Sequence, residues 1–454
     1  MNIENKNKIS CFNAYDVRGR VPESLNPELA YKIARAYAIY LKPKKVVIGH
    51  DIRLTSPVIS ENIISGLIDE GIDVLDVGLS GTEIIYFANS YLKTDGGIMI
   101  TASHNPKEYN GIKFTRENSK PISQKTGLLE IKKIAETLKN ETIKYKKGAY
   151  KKIDITDDYI KFILEFIDID SLKPLKILTN PGNGCAGPFI DKLEKYLPFK
   201  FVKMNNEPDG NFPNGIPNPM IEGTRESTSR AVVENKCDLA VAWDGDFDRC
   251  FFYDENGEFI EGYYIVGLLA ESLLKKHPKE KIIHDPRVIW NTLDIVNKAA
   301  GITVMCKSGH TFIKEKMRDE NALYGGEMSA HHYFRNFFYC DSGMIPWLLI
   351  AEIISKSGKK ISEFVKERKI MFPISGEINV KVTDADKVIE NIKNHFSSSM
   401  LSIDLTDGIS LDMGEWRFNI RKSNTEPLLR LNIETRSDEF LLQEKTKLLL
   451  SMMK

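Results

Sequence analysis

The sequence lacks the features of several functional classes. Its 63 lysines and arginines balance 63 aspartates and glutamates, so no net charge attracts nucleic acid, an anionic membrane or an acidic partner. The six cysteines form no C-x-x-C pair, which is typical of a reducing compartment. The N-terminus has no apolar signal core, and the apolar stretch at 344–355 is interrupted by Pro346 and Glu352. We therefore expect a cytoplasmic protein that binds neither nucleic acid nor membrane and that captures any anion at a local site.

The sequence does contain a repeated alternation of strand and helix patterns. The length of 454 residues exceeds that of a single core, so several domains are expected. Strands are predicted at 46–49, 74–79, 97–101, 176–179, 239–243, 281–284, near 323, and at 378–382, 416–420 and 428–433. Helices are predicted at 57–69, 83–92, 189–197, 224–234, 263–274, 292–300 and 387–395, and at the C-terminus.

This order predicts an α/β fold class. Because the βαβ pattern recurs three times, we expect three successive, similar α/β/α domains with mixed sheets, at 1–150, 151–254 and 255–370. A smaller α+β domain at 371–454 follows. Each of the three units closes a strand with a polar loop, and ligands of open α/β sheets bind beyond the carboxyl ends of strands. We expect these loops to line one central cleft.

The second of these loops carries three alternating carboxylates, Asp244, Asp246 and Asp248. Hard oxygen donors at this spacing converge on Mg²⁺ or Ca²⁺ from a single turn, although a solvated acidic turn has the same spacing. An EF-hand is excluded because Arg249 occupies the position that requires glycine.

The first loop, Thr101-Ala102-Ser103-His104-Asn105-Pro106, places a serine at a strand end. A serine exposed there can act as a nucleophile or carry a phosphoryl group. A turn built by Asn-Pro is the simpler alternative.

The third loop alternates Glu327, Ser329 and His331, which on an extended backbone face one side and suit hydrogen bonds to sugar hydroxyls. His331 and His332 also suggest a metal, but no third ligand lies at metal spacing in the sequence. A fourth loop, residues 421–425, joins two predicted strands and offers a guanidinium, hydroxyls and backbone N–H groups that suit a phosphate dianion. An ordinary hairpin turn is the alternative there.

Together and in this order, the four loops resemble those of the α-D-phosphohexomutase family over almost the whole chain. The run from Glu327 to Phe334, continued by Tyr339-Cys340-Asp341-Ser342-Gly343, is most similar to the bacterial members that supply GDP-mannose for surface polysaccharides. Ala330 departs from the pattern, since many relatives have glycine there. This departure bears on sugar specificity rather than on the reaction.

The resemblance implies a role for each matching residue. Ser103 would be a phosphoserine that completes the shell of one Mg²⁺ with the three aspartates. Lys113 would be a general acid/base, a role that a lowered pKa would suit. His104 would position the phosphoryl group, and Arg18 and Arg249 would stabilise its charge. His331 would lie near the reacting atoms. The implied substrate-binding residues are Tyr15, Arg287, His310, Glu327, Ser329, Arg421, Ser423, Asn424 and Thr425.

The implied reaction is the reversible conversion of mannose 6-phosphate to mannose 1-phosphate through a hexose 1,6-bisphosphate. Glucose 1,6-bisphosphate or mannose 1,6-bisphosphate would serve as activator, and the enzyme would be a monomer or homodimer. Dual activity on glucose phosphates, activity on glucosamine 1-phosphate, and a metal-dependent sugar phosphatase stay open as alternatives. So does a non-catalytic module that binds a sugar phosphate or Ca²⁺.

Overall fold

A computed structural model describes residues 8–138, 146–422 and 428–453. These residues form four sheets: one of seven strands and three of five strands each. The first three sheets mix parallel and antiparallel pairs, and the fourth is antiparallel throughout. The predicted fold class is therefore confirmed: three α/β/α domains precede a smaller C-terminal domain.

The first sheet carries the serine loop. Its elements are β1 (Val17–Arg20), α1 (Pro27–Leu41), β2 (Lys45–His50), α2 (Ser56–Asp69), β3 (Asp73–Leu79), α3 (Thr82–Tyr91), β4 (Gly96–Ile100), β5 (Tyr109–Arg116), β6 (Lys120–Pro121), α4 (Leu129–Thr137) and β7 (Tyr150–Lys152). The strand order is β1, β5, β4, β2, β3, β7, with β6 paired to β5. The loop 101–108 joins β4 to its antiparallel neighbour β5.

The second sheet carries the aspartate loop. Its elements are α5 (Thr156–Leu164), β8 (Lys176–Asn180), α6 (Gly187–Leu193), β9 (Lys200–Lys203), α7 (Glu226–Asn235), β10 (Leu239–Trp243), β11 (Cys250–Tyr253) and β12 (Phe259–Ile260). The strand order is β12, β11, β10, β8, β9, so the aspartate loop joins the antiparallel strands β10 and β11.

The third sheet carries the Glu327 loop. Its elements are α8 (Gly262–Lys276), β13 (Lys281–His284), α9 (Trp290–Lys298), β14 (Ile302–Met305), α10 (His310–Glu320), β15 (Tyr324–Gly326), β16 (His332–Phe334), β17 (Cys340–Asp341), α11 (Ile345–Ser357) and α12 (Ile361–Met371). The strand order is β14, β13, β15, β16, β17.

The C-terminal domain is built on the fourth sheet. Its elements are β18 (Ile378–Lys381), α13 (Ala385–Phe396), β19 (Ser402–Asp404), β20 (Ile409–Asp412), β21 (Trp416–Lys422), β22 (Leu428–Thr435) and α14 (Glu439–Met452). The strand order is β18, β22, β21, β20, β19. The predicted domain borders stay a prediction, and both β7 and β12 extend their sheets slightly beyond them.

Local sequence accounts for the elements that position the site. Strands β4 and β10 are buried along their whole length, as expected for apolar strands covered on both faces. Helices α1, α13 and α14 are capped at their N-termini by Asn26, Asp384 and Asp438, whose side chains accept a backbone N–H of the first turn. The alternation of patterns missed the short antiparallel strands β1, β6, β12 and β17, which hold too few residues to show a period. Longer elements were also not predicted, among them strand β5 and helices α1, α10 and α12.

The buried hydrophobic residues form separate clusters of unequal size. One cluster joins the first three domains and includes Val47, Trp243 and Trp347. The C-terminal domain has a separate core around Phe418 and Leu431. The apolar stretch at 344–355 lies in the buried helix α11. Within the described ranges, no helix has the length and apolarity needed to cross a membrane.

Candidate active site

The serine loop is held in place by its own first domain. Ser103 adopts a left-handed backbone with φ 49°, and its N–H donates to Thr101 Oγ1 at 2.8 Å. Arg53, which is 1% exposed, donates to four backbone carbonyls of the loop and its edge, those of Ser103, Asn105, Pro106 and Tyr109. The Asn-Pro turn of the simpler alternative is therefore part of the scaffold that presents Ser103.

Arg18 braces the same loop from strand β1. Its guanidinium donates to Asn105 Oδ1 at 2.5 Å and to the carbonyl of Ala102 at 3.2 Å, and it pairs with Asp16 at 2.6 Å. Because β1 pairs with β5, the sheet itself brings Arg18 beside the serine.

The Ser103 hydroxyl lies between a carboxylate and an imidazole. Oγ donates to Asp244 Oδ2 at 2.8 Å and is 2.9 Å from His104 Nδ1. Arg249 donates to both partners, to Asp244 Oδ2 at 2.8 Å and to His104 Nδ1 at 2.5 Å. Burial, together with the charges of Arg249 and Arg18, holds the pKa of His104 well below its usual range, so this imidazole is neutral.

Asp244, Asp246 and Asp248 form a buried cluster directly after strand β10. Each offers a carboxylate oxygen within 4.8 Å of the others. Asp246 Oδ2 accepts from Thr82 at 2.5 Å, whereas its buried Oδ1 has no hydrogen-bond partner among the described residues. Three buried hard-oxygen donors with one oxygen unsatisfied fit a Mg²⁺ ion.

Lys113 lies against this cluster from strand β5, where it pairs with Met99 of β4. Its ammonium is 2.8 Å from Asp246 Oδ2 and 2.7 Å from Asp248 Oδ2. Burial alone would lower the pKa of Lys113, but the two carboxylates outweigh it and raise the pKa. The lowered pKa that would suit an acid/base role is therefore not found, because the lysine serves here as counter-charge to the aspartates.

The pKa values of Asp246 and Asp248 shift in opposite directions. Burial alone would raise the pKa of Asp246, but the charge of Lys113 outweighs it and lowers that pKa. Burial and the neighbouring charge of Asp246 raise the pKa of Asp248 to about 6. Asp248 Oδ1 is also 4.0 Å from His331 Nδ1, so the aspartate loop meets the third domain at this point.

The Glu327 loop is organised by a buried arginine. Arg287 makes a two-pronged pair with Asp285 at 2.9 Å and donates to Ser329 Oγ at 3.2 Å and to Glu327 Oε2 at 3.4 Å. Glu327 Oε1 accepts from the Tyr333 hydroxyl at 2.6 Å. Because these donors fix the loop, Glu327 and Ser329 are presented in one defined geometry.

Two histidines lie next to each other in the third domain. The rings of His310 and His331 are 6.3 Å apart at 23°, and Tyr15 of the first domain packs edge-on against His310 at 5.8 Å. Sequence spacing showed no third metal ligand near His331, but the fold brings Asp248 and Asp341 to it. Burial lowers the pKa of His310, whereas Asp341 and Asp248 outweigh burial and raise the pKa of His331.

The predicted phosphate grip is described only in part. Arg421, at the end of β21, donates to Glu377 Oε2 at 2.9 Å. Glu377 also lies 2.9 Å from Arg430 and 3.5 Å from Arg287, so one carboxylate joins the C-terminal domain to the third. Ser423, Asn424 and Thr425 lie outside the described residues.

The structure thus connects the described candidates through a series of contacts that runs from Ser103 to Arg421. Several residues that hold this series together were not predicted from the sequence: Arg53, Thr82, Lys314, Asp341 and Glu377. Of these, only Asp341 lies in a segment that carries the family resemblance. The partners of the others are distant in the sequence, so no local pattern marks them.

Four family models match the chain in order. They describe the phosphoglucomutase/phosphomannomutase alpha/beta/alpha domains I, II and III at residues 10–142, 157–257 and 261–370, and the C-terminal domain at 377–449. A phosphomannomutase of Salmonella montevideo is 52% identical over 453 residues, which cover 98% of this chain and 99% of that protein. A protein named "Phosphohexose mutases" from Xanthomonas campestris pv. campestris (strain B100) is 53% identical over 441 residues, which cover 97% of this chain and 98% of that protein.

A solved structure shares the whole architecture. The phosphoglucomutase/phosphomannomutase family protein of Burkholderia thailandensis superimposes with a TM-score of 0.87 at 28% identity, and the match covers 97% of each chain.

Proposed function

Because the chain belongs to the phosphoglucomutase/phosphomannomutase family of α-D-phosphohexomutases, we propose that it is a phosphomannomutase that interconverts mannose 6-phosphate and mannose 1-phosphate. The observation that carries the proposal is the Ser103 hydroxyl, which donates to a buried Asp244 of the next domain at 2.8 Å. A hydroxyl held at a cluster of carboxylates and arginines suits a group that receives and returns a phosphoryl group. The phosphomannomutase of 52% identity supports mannose as the sugar.

The reaction consists of two phosphoryl transfers, one from Ser103 to the sugar and one from the sugar back to Ser103. The bond from phosphorus to Ser103 Oγ breaks, a bond to the sugar hydroxyl forms, and the hydroxyl proton passes to a base. The resulting 1,6-bisphosphate reorients in the cleft. The bond from its other phosphorus to the sugar oxygen then breaks, that oxygen takes a proton, and the phosphoryl group returns to Ser103 Oγ. His331 is the candidate base for the hydroxyl proton, whereas Lys113, which the aspartates keep charged, could only donate one as a general acid. His104, Arg18 and Arg249 would stabilise the charge on the moving group.

The three aspartates and Ser103 would hold one Mg²⁺. Their donor set fits this ion, and one buried oxygen of Asp246 is unsatisfied. Bound there, Mg²⁺ would act as a Lewis acid on the phosphoryl oxygens and lessen the repulsion between phosphate and carboxylates. Glucose 1,6-bisphosphate or mannose 1,6-bisphosphate would phosphorylate the serine at the start and so act as activator.

Substrate recognition would be divided between two domains. Glu327 and Ser329 would bind the sugar hydroxyls, with Tyr15, His310 and Arg287 beside them. The phosphate that is not being transferred would bind at Arg421, Ser423, Asn424 and Thr425. We further propose that the enzyme works in the cytoplasm as a monomer or homodimer.

One observation favours a second candidate function, a dual activity on mannose and glucose phosphates. The Xanthomonas relatives carry the broader name phosphohexose mutases at 53% identity, slightly above that of the Salmonella protein. Mannose and glucose differ only at C2, so one set of contacts to the other hydroxyls would serve both sugars.

The test is a comparison of three substrates. Mg²⁺-loaded enzyme primed with glucose 1,6-bisphosphate is given mannose 1-phosphate, glucose 1-phosphate or glucosamine 1-phosphate, and each 6-phosphate product is measured. We expect a clear preference for mannose 1-phosphate. Comparable turnover of glucose 1-phosphate would indicate the dual activity. Release of inorganic phosphate without isomerised sugar would indicate a phosphatase, and binding without turnover would contradict an enzyme.

A further inference from the structure

Two buried side chains behind the cleft histidines have no role in the reaction proposed above. Asp341 ends strand β17, Lys314 lies on α10, both side chains are 0% exposed, and Lys314 Nζ is 2.6 Å from Asp341 Oδ1. We propose that this pair positions the rings of His331 and His310 and sets their tautomers in opposite senses. The inference rests on the proposed function for the reaction that the rings serve, whereas the tautomers are a property of the chain itself.

Asp341 determines which nitrogen of His331 carries the proton. Asp341 Oδ2 is 2.9 Å from His331 Nδ1, an ion-pair distance at which the two groups are not aligned as a hydrogen bond. An ionised carboxylate attracts an N–H and repels a nitrogen lone pair, so a neutral His331 keeps its proton on Nδ1. The other ring nitrogen, Nε2, then presents a lone pair and acts as the acceptor for a ligand.

Lys314 imposes the opposite arrangement on His310. Lys314 Nζ is 3.4 Å from His310 Nδ1. An ammonium group has three donors and no acceptor, so Nδ1 of His310 must accept, and its proton lies on Nε2. The contact is built by the helix, because His310 is the first residue of α10 and Lys314 lies one turn further on the same face.

The two rings therefore differ in chemical character although they are neighbours. They stack at 6.3 Å between centroids, with Nδ1 of each directed to the buried pair. His331 offers an acceptor suited to take the proton of a sugar hydroxyl, and His310 offers a donor to an adjacent oxygen. If both tautomers were reversed, each ring would present the wrong atom to the substrate.

The surroundings of the pair support a positioning role. Lys314 Nζ also lies 3.8 Å from the centre of the Tyr86 ring, which belongs to helix α3 of the first domain. The lysine is thus fixed by a carboxylate and an aromatic face at once, so its direction towards His310 is constrained. A buried ion pair with a purely structural task is often replaceable by apolar residues without loss of stability. This distinction can be tested.

The kinetic test compares the single variants Asp341→Asn and Lys314→Met with the double variant, which removes both charges. Each single variant leaves one buried charge uncompensated, whereas the double variant restores neutrality. We expect kcat for mannose 1-phosphate to fall about 10- to 100-fold in the double variant, with KM within about twofold, because the rings lose their orientation rather than their contacts with the sugar. Arg35→Met, which breaks the remote pair with Glu70 at 2.6 Å, is the matched control and should keep wild-type kcat.

Recovery of kcat by the double variant would overturn the inference, since it would show that the pair serves stability alone. A rise in KM with kcat unchanged would also contradict it.

The second test reads the tautomers directly and does not depend on activity. The eight histidines are labelled with ¹⁵N, and the ring shifts are recorded at a pH where the imidazoles are neutral. His331→Gln and His310→Gln assign the two signals. We expect a protonated Nδ1 for His331 and a protonated Nε2 for His310, and we expect the His331 pattern to change in Asp341→Asn.

The same tautomer in both rings, or a His331 pattern unaffected by Asp341→Asn, would overturn the proposal. If the wild-type enzyme isomerises no sugar phosphate but shows the expected shifts, then the proposed function fails and the positioning of the rings stands.

Discussion

Ser103 Oγ donates a hydrogen bond to Asp244 Oδ2 at 2.8 Å, although the two residues are 141 positions apart in the chain. The contact joins the first domain to the second and places the hydroxyl at the edge of the carboxylate cluster. Arg249 donates to the same carboxylate oxygen, also at 2.8 Å. A phosphoryl group on Ser103 would therefore lie within reach of a cation held by the aspartates and of a guanidinium, which is the environment that phosphoryl transfer requires.

The first prediction concerns Ser103→Ala. Without the hydroxyl no phosphoryl group is carried, so turnover of mannose 1-phosphate should fall by at least about a thousandfold. Stability should change by only about 1 kcal/mol, since one hydrogen bond is lost and the loop remains fixed by Arg53. Turnover and thermal unfolding of the same preparation check both statements. Activity near that of the wild type in a folded variant would exclude Ser103 as the carrier.

The fold was largely predictable because the evidence for it is local. Each predicted strand and helix carries its own period, and their alternation specifies α/β domains. The site was predictable to a lesser degree. Asp244, Asp246 and Asp248 share one turn, but the carboxylate partners of Lys113 lie more than 130 positions away from it. Asp341 reaches His331 from the neighbouring strand of the third sheet, and Glu377 of the C-terminal domain reaches Arg287 of the third domain, so spacing could not reveal either contact.

The second prediction concerns the phosphate site. Arg421→Ala should raise KM about 10- to 100-fold, because a hydrogen bond to a charged group contributes about 1.5–3 kcal/mol. The change in kcat should be small, since Arg421 would bind the phosphate that is not transferred. Arg430→Ala is the matched control. Arg430 also pairs with Glu377, at 2.9 Å, so this variant removes one arginine partner of Glu377 and keeps Arg421. Steady-state kinetics on mannose 1-phosphate measure both, and an unchanged KM for Arg421→Ala would contradict the assignment.

The third prediction concerns Glu83, a buried carboxyl where three domains meet. Its carboxyl group accepts a hydrogen bond from the Tyr159 hydroxyl of the second domain. It also accepts from two N–H groups of the third domain, those of Gly343 at 2.5 Å and Met344 at 3.2 Å. Burial raises the pKa of Glu83 well above its usual range, although these donors oppose the shift. The folded protein therefore holds a proton that the unfolded chain releases above about pH 4.5.

The sign of the pH dependence follows from that shift. The stabilisation linked to a raised pKa is fully present below the unfolded pKa and is lost as pH rises towards the folded one. Glutamine does not titrate, so Glu83→Gln does not lose stability in this way. The free energy of unfolding of the variant, relative to that of the wild type, should therefore increase between pH 5 and pH 8. Thermal midpoints of both proteins at several pH values measure it. A constant difference across this range would show that Glu83 is ionised in the fold.

The fourth prediction concerns the junction between the third domain and the C-terminal domain. Glu434 is fully buried on β22 and accepts from the N–H groups of Ile289 and Trp290 at 2.7 and 3.1 Å, and from the Tyr263 hydroxyl at 2.6 Å. Arg417 pairs with it at 2.9 Å. The carboxylate thus satisfies the N-terminal N–H groups of helix α9, which otherwise have no partner within the helix.

Glu434→Gln should destabilise the protein by about 3–5 kcal/mol, because it leaves the Arg417 guanidinium buried without a counter-charge and directs an amide NH₂ at backbone donors. Adding Arg417→Met should restore part of the stability by removing that charge, whereas Arg436→Met on the exposed side of the same junction should cost much less. Calorimetric scans of the three variants measure the difference. If the free energy of unfolding of Glu434→Gln were within about 1 kcal/mol of that of the wild type, the two domains would be joined by their apolar contacts rather than by this carboxylate.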